Sequence, residues 1–161
     1  MPTDLLTLLR RDHLDLQQEL TQLLDPVATI SQLRSSLDGV RLGLTAHAEA
    51  EDIVLSRFEV MQPLASLVSQ ARAAHLAQES ALSALVSARP SSVTWRDRAH
   101  HLRELVHHHA EQEEAHLMPA LREYAADYSR LAGAFATERP RQLAMLQPSA
   151  PMYAPYLLAT G

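Results

Sequence analysis

Apolar residues along this chain recur at intervals of three and four positions, which is the spacing of one face of an α-helix. The first such stripe follows Thr3-Asp4, where either residue can cap a helix, and Asp25-Pro26 ends it. A second helix is expected within residues 30–60, with the Ser35-Ser36 region as an entry point and Gln62-Pro63 as its stop. Both segments are rich in leucine, alanine and glutamine, which favour helices.

The second half of the chain repeats this organisation. A third helix is expected at about residues 64–88, and a fourth runs from near Thr94 past Glu114. Pro119 lacks a backbone N–H and should kink or end the fourth helix. A shorter helix is expected at residues 125–137.

Four long helices with short connections predict an all-α fold, an antiparallel four-helix bundle with a short extra C-terminal helix and a proline-rich tail. We therefore expect a bundle domain at residues 1–137 and a C-terminal extension at residues 138–161. From Gln147 onward the chain carries three prolines and no charged side chain. Because disordered segments are usually charged and poor in apolar residues, this tail is expected to dock on the bundle or on a second subunit.

Composition narrows the chemistry. The 161 residues include no cysteine, which excludes disulfides, thiol catalysis and iron–sulfur ligation and leaves imidazole and carboxylate as the strong metal ligands. The net charge is −5 and the basic residues form no stripe, so a nucleic-acid partner is not expected. No apolar run approaches the ~18 residues of a membrane span, and the N-terminus lacks the order of a secretory signal. A cytoplasmic protein without membrane contact is the expectation.

An internal repeat is the most informative feature of the chain. The segments from His47 to Leu55 and from His109 to Leu117 both read His-Ala-Glu-x-Glu-acid-x-x-Leu. A further histidine followed by leucine lies 34 residues before each segment. The repeated residues, which recur at an offset of 62 positions, are His13 and His75, His47 and His109, and Glu51 and Glu113.

In an antiparallel bundle these six positions lie at comparable depth, because each is a similar distance from the nearest turn. His47 and Glu51 are four residues apart and project from one helix face, as do His109 and Glu113. Burying four histidines and two carboxylates without compensating charge would be costly. The joint pattern therefore predicts a site for a pair of metal ions.

One choice within the pattern is ambiguous, because His107 and Glu111 have the same spacing as His109 and Glu113. The repeat favours His109, since only that register continues into Glu114 and Leu117. Glu49 and Glu111 fall on another helix face and are expected at the surface. The remaining histidines, expected to be solvated or to surround the site, are His100, His101, His107, His108 and His116, of which His116 could flank the metals.

The motif set resembles the hemerythrin-like (HHE cation-binding) family, over roughly residues 5–120. That family has a histidine on helices one and three, His-x-x-x-Glu on helix two, and His-x-x-x-Glu-Glu followed by proline on helix four. The resemblance implies two iron ions in an oxo- or hydroxo-bridged diiron centre with both glutamates bridging. It assigns His13 and His47 to one iron and His75 and His109 to the other. The imidazole–carboxylate set independently suits iron, with manganese and zinc left open by the chemistry alone.

The chain departs from the oxygen-carrying hemerythrins, which have His-x-x-x-His on helix three and a closing aspartate on helix four. Here the residue four positions after His75 is Glu79. If Glu79 does not bind, more metal positions stay open than in a five-histidine carrier, and if it binds, an anion favours the ferric state. Both outcomes disfavour reversible oxygen storage. A tyrosinate ligand is a third alternative, from Tyr124, Tyr128, Tyr153 or Tyr156.

These residues predict a catalase-like enzyme that decomposes hydrogen peroxide, with Glu79 and His116 as the candidate catalytic residues for proton transfer. The alternatives are nitric oxide reduction at the same centre, a carrier or sensor of dioxygen or iron, and an interaction protein whose metal is structural. The expected partner is a small-molecule oxidant: hydrogen peroxide, dioxygen or nitric oxide. A homo-oligomer is left open by the sequence.

Overall fold

The structure is a computed structural model that describes residues 3–147, and throughout that range the chain is helical without a strand. A 3₁₀ turn at Ser56–Val60 follows the second helix, and a π-helical segment at Glu113–Leu117 follows the fourth. The fold is a helical bundle, as the pattern predicts. Its α-helices are α1 (Leu5–Gln22), α2 (Ile30–Leu55), α3 (Leu64–Val86), α4 (Val93–Gln112), α5 (Met118–Tyr124) and α6 (Tyr128–Leu146).

The start of α2 lies earlier than the Ser35-Ser36 entry expected from the sequence. The hydroxyl of Thr29 accepts a hydrogen bond from the Gln32 backbone N–H (3.1 Å), and the Thr29 N–H donates to the Gln32 side chain (2.8 Å). This reciprocal capping box satisfies two backbone donors that a helix start leaves unpaired. The Ser35-Ser36 expectation was wrong because both serines lie inside a helix that was already capped.

The core consists of two hydrophobic clusters. Cluster I lies at the end of the bundle that holds the α1 start, and cluster II lies at the other end. Cluster I includes Leu5, Leu9, Leu55, Phe58, Leu64, Met118, Leu121, Leu131 and Phe135. Cluster II includes Leu16, Leu20, Leu33, Val40, Leu85, Trp95 and Leu102.

Each of the first four helices passes from one cluster to the other at a buried histidine. In α1, His13 lies between Leu9 of cluster I and Leu16 of cluster II. The corresponding residues are Leu44, His47 and Ala50 in α2; Ala71, His75 and Ala81 in α3; and Val106, His109 and Leu117 from α4 onward. The histidines therefore form a polar layer between two apolar ends.

The C-terminal helix α6 is longer than the helix expected at residues 125–137, since it runs from Tyr128 to Leu146 and contains Pro140. Pro140 and Ala136, whose carbonyl would otherwise receive the missing N–H, are both exposed, so water can satisfy that carbonyl. The helix packs mainly on α2 and also on α1. The expected end at residue 137 was therefore wrong.

The division into residues 1–137 and 138–161 stays a prediction, although α6 continues across that boundary. The docking expected of the proline-rich tail concerns residues from 148 onward, which lie outside the described range. Among residues 3–147, the structure contains no helix that is both long and apolar enough to cross a membrane.

Candidate metal centre

The six residues singled out by the repeat lie together in the polar layer, and all six are buried. They form two groups, in each of which one ligand atom per residue lies within 4.8 Å of the others. One group consists of His13, His47 and Glu113, and the other of Glu51, His75, His109 and Glu113.

Each glutamate lies between two histidines that come from different helices. Glu51 has Oε2 at 3.4 Å from Nε2 of His47 and Oε1 at 3.7 Å from Nε2 of His75. Glu113 has Oε1 at 2.6 Å from Nε2 of His109 and Oε2 at 3.2 Å from Nε2 of His13. The layer thus has two halves, one with His13 and His47 and the other with His75 and His109. Each carboxylate directs one oxygen toward each half.

Despite this proximity, many of these buried polar atoms have no hydrogen bond of acceptable geometry. They are both nitrogens of His13, Nε2 of His47, and all four carboxylate oxygens of Glu51 and Glu113. Leaving buried polar atoms unpaired is costly, and a cation that coordinates them would remove that cost. Imidazole nitrogens and carboxylate oxygens without thiolate are a donor set that fits iron, so the residues fit the metal pair that the sequence predicts.

The charges of the layer shift its pKa values strongly. Burial would lower the pKa of His47, but the hydrogen bond to Asp12 and the Glu51 carboxylate raise it to about 10. Burial and the charge of Glu113 raise the pKa of Glu51. Burial acts the same way on Glu113, but the neighbouring His109 and His13 hold its pKa well below the usual value. Without metal, protons on His47 and Glu51 therefore balance part of the negative charge that cations would otherwise balance.

Two aspartates orient two of the histidines through the ring nitrogen that faces away from the centre of the layer. Nδ1 of His47 lies 3.0 Å from Oδ2 of Asp12, and Nδ1 of His75 lies 2.8 Å from Oδ1 of Asp52. Because an ionised carboxylate only accepts, Nδ1 donates in both cases and Nε2 is left facing the centre of the layer. Such carboxylate–histidine pairs fix the tautomer and raise the basicity of a metal ligand.

Sequence reasoning missed both aspartates as functional residues. Asp12 directly precedes His13, and Asp52 occupies the acidic position that follows Glu51 in the repeat. Each aspartate, however, contacts a histidine of the next helix rather than its own neighbour. The acidic position of the repeat was the available signal, but only helix packing reveals the pairing.

Helix α6 adds two contacts that the sequence did not predict. Nε of Arg139 donates to Oδ2 of Asp12 at 2.6 Å, the same oxygen that accepts from His47. These contacts outweigh burial and lower the pKa of Asp12. The ring of Phe135 meets that of His47 edge-to-face, with centroids 5.8 Å apart.

The irregularity expected at Pro119 falls one turn earlier. The Met118 N–H donates to the carbonyl of Glu113, five residues back, which is the bond of a π-helix. Regular α-helix therefore stops at Gln112, and Pro119 lies in the first turn of α5. Single π-turns are frequent at functional sites, and this one begins at a residue of the polar layer.

The two candidate catalytic residues lie outside the layer. Glu79 is exposed and lines a cleft of about 490 Å³ between α2 and α3 that also borders His75. The buried residue of that turn is Gln78, at 2% exposure, and its Nε2 has no hydrogen-bond partner. His116 is exposed and lines a second cavity of about 200 Å³, together with His109 and Glu113.

The remaining alternatives from the sequence lie away from the layer. His107 is exposed and its Nε2 lies 3.0 Å from Oε1 of Glu111, so the structure brings His109 and not His107 to the centre. The hydroxyl of Tyr128 donates to Asp4 at 2.7 Å, and Tyr124 is exposed. Tyr153 and Tyr156 lie outside the described residues.

Comparison with known proteins gives one family match. The family model for the Hemerythrin HHE cation binding domain matches residues 4–131. No curated protein and no solved structure matches the chain. The family match covers the whole polar layer and ends inside α6, before Phe135 and Arg139.

Proposed function

Because this chain belongs to the Hemerythrin HHE cation-binding family, we propose that it holds two iron ions in the polar layer and uses them to decompose hydrogen peroxide. The proposal includes the antiparallel four-helix arrangement of the family. In that arrangement successive helices cross the polar layer in opposite directions, and each contributes one histidine to it. Iron is favoured by the mixed imidazole and carboxylate donors.

The position of the two glutamates is the observation that carries the proposal. Glu51 lies between His47 and His75, and Glu113 lies between His13 and His109. This arrangement supports the proposal that each carboxylate serves two ions. His13 and His47 would hold one ion, and His75 and His109 the other.

When bound, such a metal pair supplies a redox couple, with one peroxide molecule reduced to water and a second oxidised to dioxygen. No organic cofactor or outside electron donor is needed for this disproportionation. The four histidines and two glutamates would leave room for a small ligand at the metals, because Glu79 and Tyr124 are exposed and the hydroxyl of Tyr128 donates to Asp4.

The chain's own residues would serve the reaction in three ways. Asp12 and Asp52 hold His47 and His75 with Nε2 directed inward. The unpaired Nε2 of Gln78, on the wall of the larger cleft, offers a hydrogen bond to an entering peroxide. Glu79 and His116, on the walls of the two cavities, would pass protons between that ligand and solvent.

Oxygen evolution from peroxide by the iron-loaded protein tests this function. We expect Glu113→Gln to abolish it, since one of the two oxygens of this carboxylate is replaced by an amide NH₂ group, which does not bind a metal ion. Glu111→Gln makes the same change of charge at an exposed position two residues earlier and should leave the rate unchanged. Iron-loaded protein that releases no oxygen, but whose reduced form changes its spectrum reversibly in air, would instead favour a dioxygen carrier.

A further inference from the structure

The two halves of the polar layer have different surroundings. His47 is oriented by Asp12, whose side chain is 9% exposed and also accepts from Arg139 at 2.6 Å. His75 is oriented by Asp52, whose side chain is 26% exposed and borders the larger cleft. One carboxylate is therefore buried under an arginine, while the other is in contact with a solvent-filled space.

Helix α6 causes this difference. It supplies Arg139 to Asp12 and the ring of Phe135 to His47, and it packs on α1 and α2, which carry His13 and His47. Its buried residues Leu131 and Phe135 join cluster I. Both Phe135 and Arg139 lie beyond residue 131, where the family match ends.

The two cavities border the opposite half of the layer. The larger cleft is lined by His75, Asp52 and Gln78, and the smaller cavity by His109 and Glu113. Neither of these two cavities is lined by His13 or His47. The buried Gln78 Nε2 adds an unpaired donor to the larger one, which suits a small anion or peroxide.

We propose that α6 closes the metal position of His13 and His47, and that a small anionic ligand binds at the position of His75 and His109, entering beside Gln78. In this arrangement Arg139 is a positioning residue that acts on His47 through Asp12. The inference rests on the proposed metal pair and adds which of its two positions takes the ligand.

Mössbauer spectroscopy of the ⁵⁷Fe-loaded protein, with azide as the probe, tests the proposal because it reports on each iron separately. We expect azide to change one of two quadrupole doublets and Arg139→Gln to change the other. Asp52→Asn should change the doublet that azide changes, because Asp52 orients His75. Arg141→Gln, at an exposed position of the same helix, is the matched control and should change neither.

Rates and affinities give a second measurement. Arg139→Gln should speed release of one iron to a chelator by about tenfold, as other changes behind a metal ligand do, and Arg139→Lys should restore part of the difference. Gln78→Leu should weaken azide binding by about tenfold or more, the value of one hydrogen bond to a charged ligand. Retention of the second iron in Arg139→Gln distinguishes this effect from unfolding.

The proposal is overturned if azide and Arg139→Gln change the same doublet, if azide changes neither, or if Arg139→Gln speeds the release of both irons equally. These results would leave the metal pair itself intact. A wild-type protein that binds no pair of irons would instead refute the proposed function, and this inference with it.

Discussion

Glu51 and Glu113 share one buried space, and their carboxyl pKa values move in opposite directions. The charge of Glu113 raises the pKa of Glu51, whereas His109 and His13 hold that of Glu113 far below its usual range. Full ionisation of both carboxylates beside unprotonated histidines requires a cation between them. Protons and metal ions therefore compete for the same imidazole nitrogens and carboxylate oxygens.

We predict that metal binding releases protons and strengthens as pH rises. The pKa of His47 in the metal-free protein is about 10, so at neutral pH a cation must displace its proton. Each displaced proton makes the apparent affinity rise about tenfold per pH unit. Chelator competition between about pH 6 and about pH 8 measures this slope. An affinity independent of pH would contradict the buried, protonated state of this histidine.

Metal removal should lower the melting temperature. A ligand that binds only the folded state adds about 4 kcal/mol of stability at a thousandfold excess over Kd, which corresponds to a shift on the order of 10 °C in a domain of this size. Calorimetry of the iron-loaded and the chelated protein measures the difference. Equal melting temperatures would mean that the metals do not bind to the buried layer.

The metal-free protein should also lose stability as pH rises. The pKa of His47 is raised from 6.5 to about 10 on folding, so its contribution is present in full below pH 6.5 and is lost as pH rises through about 10. Denaturant unfolding of the chelated protein at several pH values in this window measures the loss. An increase in the free energy of unfolding toward pH 10 would contradict this prediction.

Glu51→Ala should remove both ions, because this carboxylate faces a histidine of each group. Metal analysis of the purified variant measures the loss. Glu49→Ala, at an exposed position two residues earlier, is the matched control and should keep both ions. Full iron occupancy in Glu51→Ala would show that the glutamate does not bridge.

Trp95→Phe separates stability from metal binding. The buried indole donates from Nε1 to the carbonyl of Leu23 at 2.8 Å, inside cluster II. Loss of this hydrogen bond should lower the free energy of unfolding by about 1–3 kcal/mol. The iron content should be unchanged, since the residue lies outside the polar layer. A parallel loss of iron would mean that cluster II determines the geometry of the layer.

The internal repeat was sufficient to predict the residues of the polar layer. A histidine and a glutamate four apart share a helix face whatever the neighbouring helices do, so His47 with Glu51 and His109 with Glu113 could be read from spacing alone. Spacing alone could not show which of Gln78 and Glu79 is buried beside the layer. Positions three and four residues after His75 are both near its face, and only packing of α3 decides that Gln78 is the buried one.

The spacing of residues in the sequence could not predict the contacts that Asp12, Asp52 and Arg139 make around the layer. Arg139 lies 127 positions from Asp12 in the chain, and no periodicity relates them. The start of α2 is a different kind of failure, because Thr29 with Gln32 is a capping signature that sequence alone displays. Ser35 and Ser36 carry the same kind of hydroxyl, but they lie inside the helix, where such residues also occur.

The passage of each helix from one hydrophobic cluster to the other at a histidine limits which length changes the chain can accept. One residue inserted between Leu9 and His13 would rotate everything after it by about 100° about the helix axis. Either His13 would leave the layer together with the α1 leucines of cluster II, or Leu5 and Leu9 of cluster I would turn toward solvent. Insertions and deletions are therefore tolerable in the connections between helices, whereas the spacing within α1 to α4 is fixed from both ends.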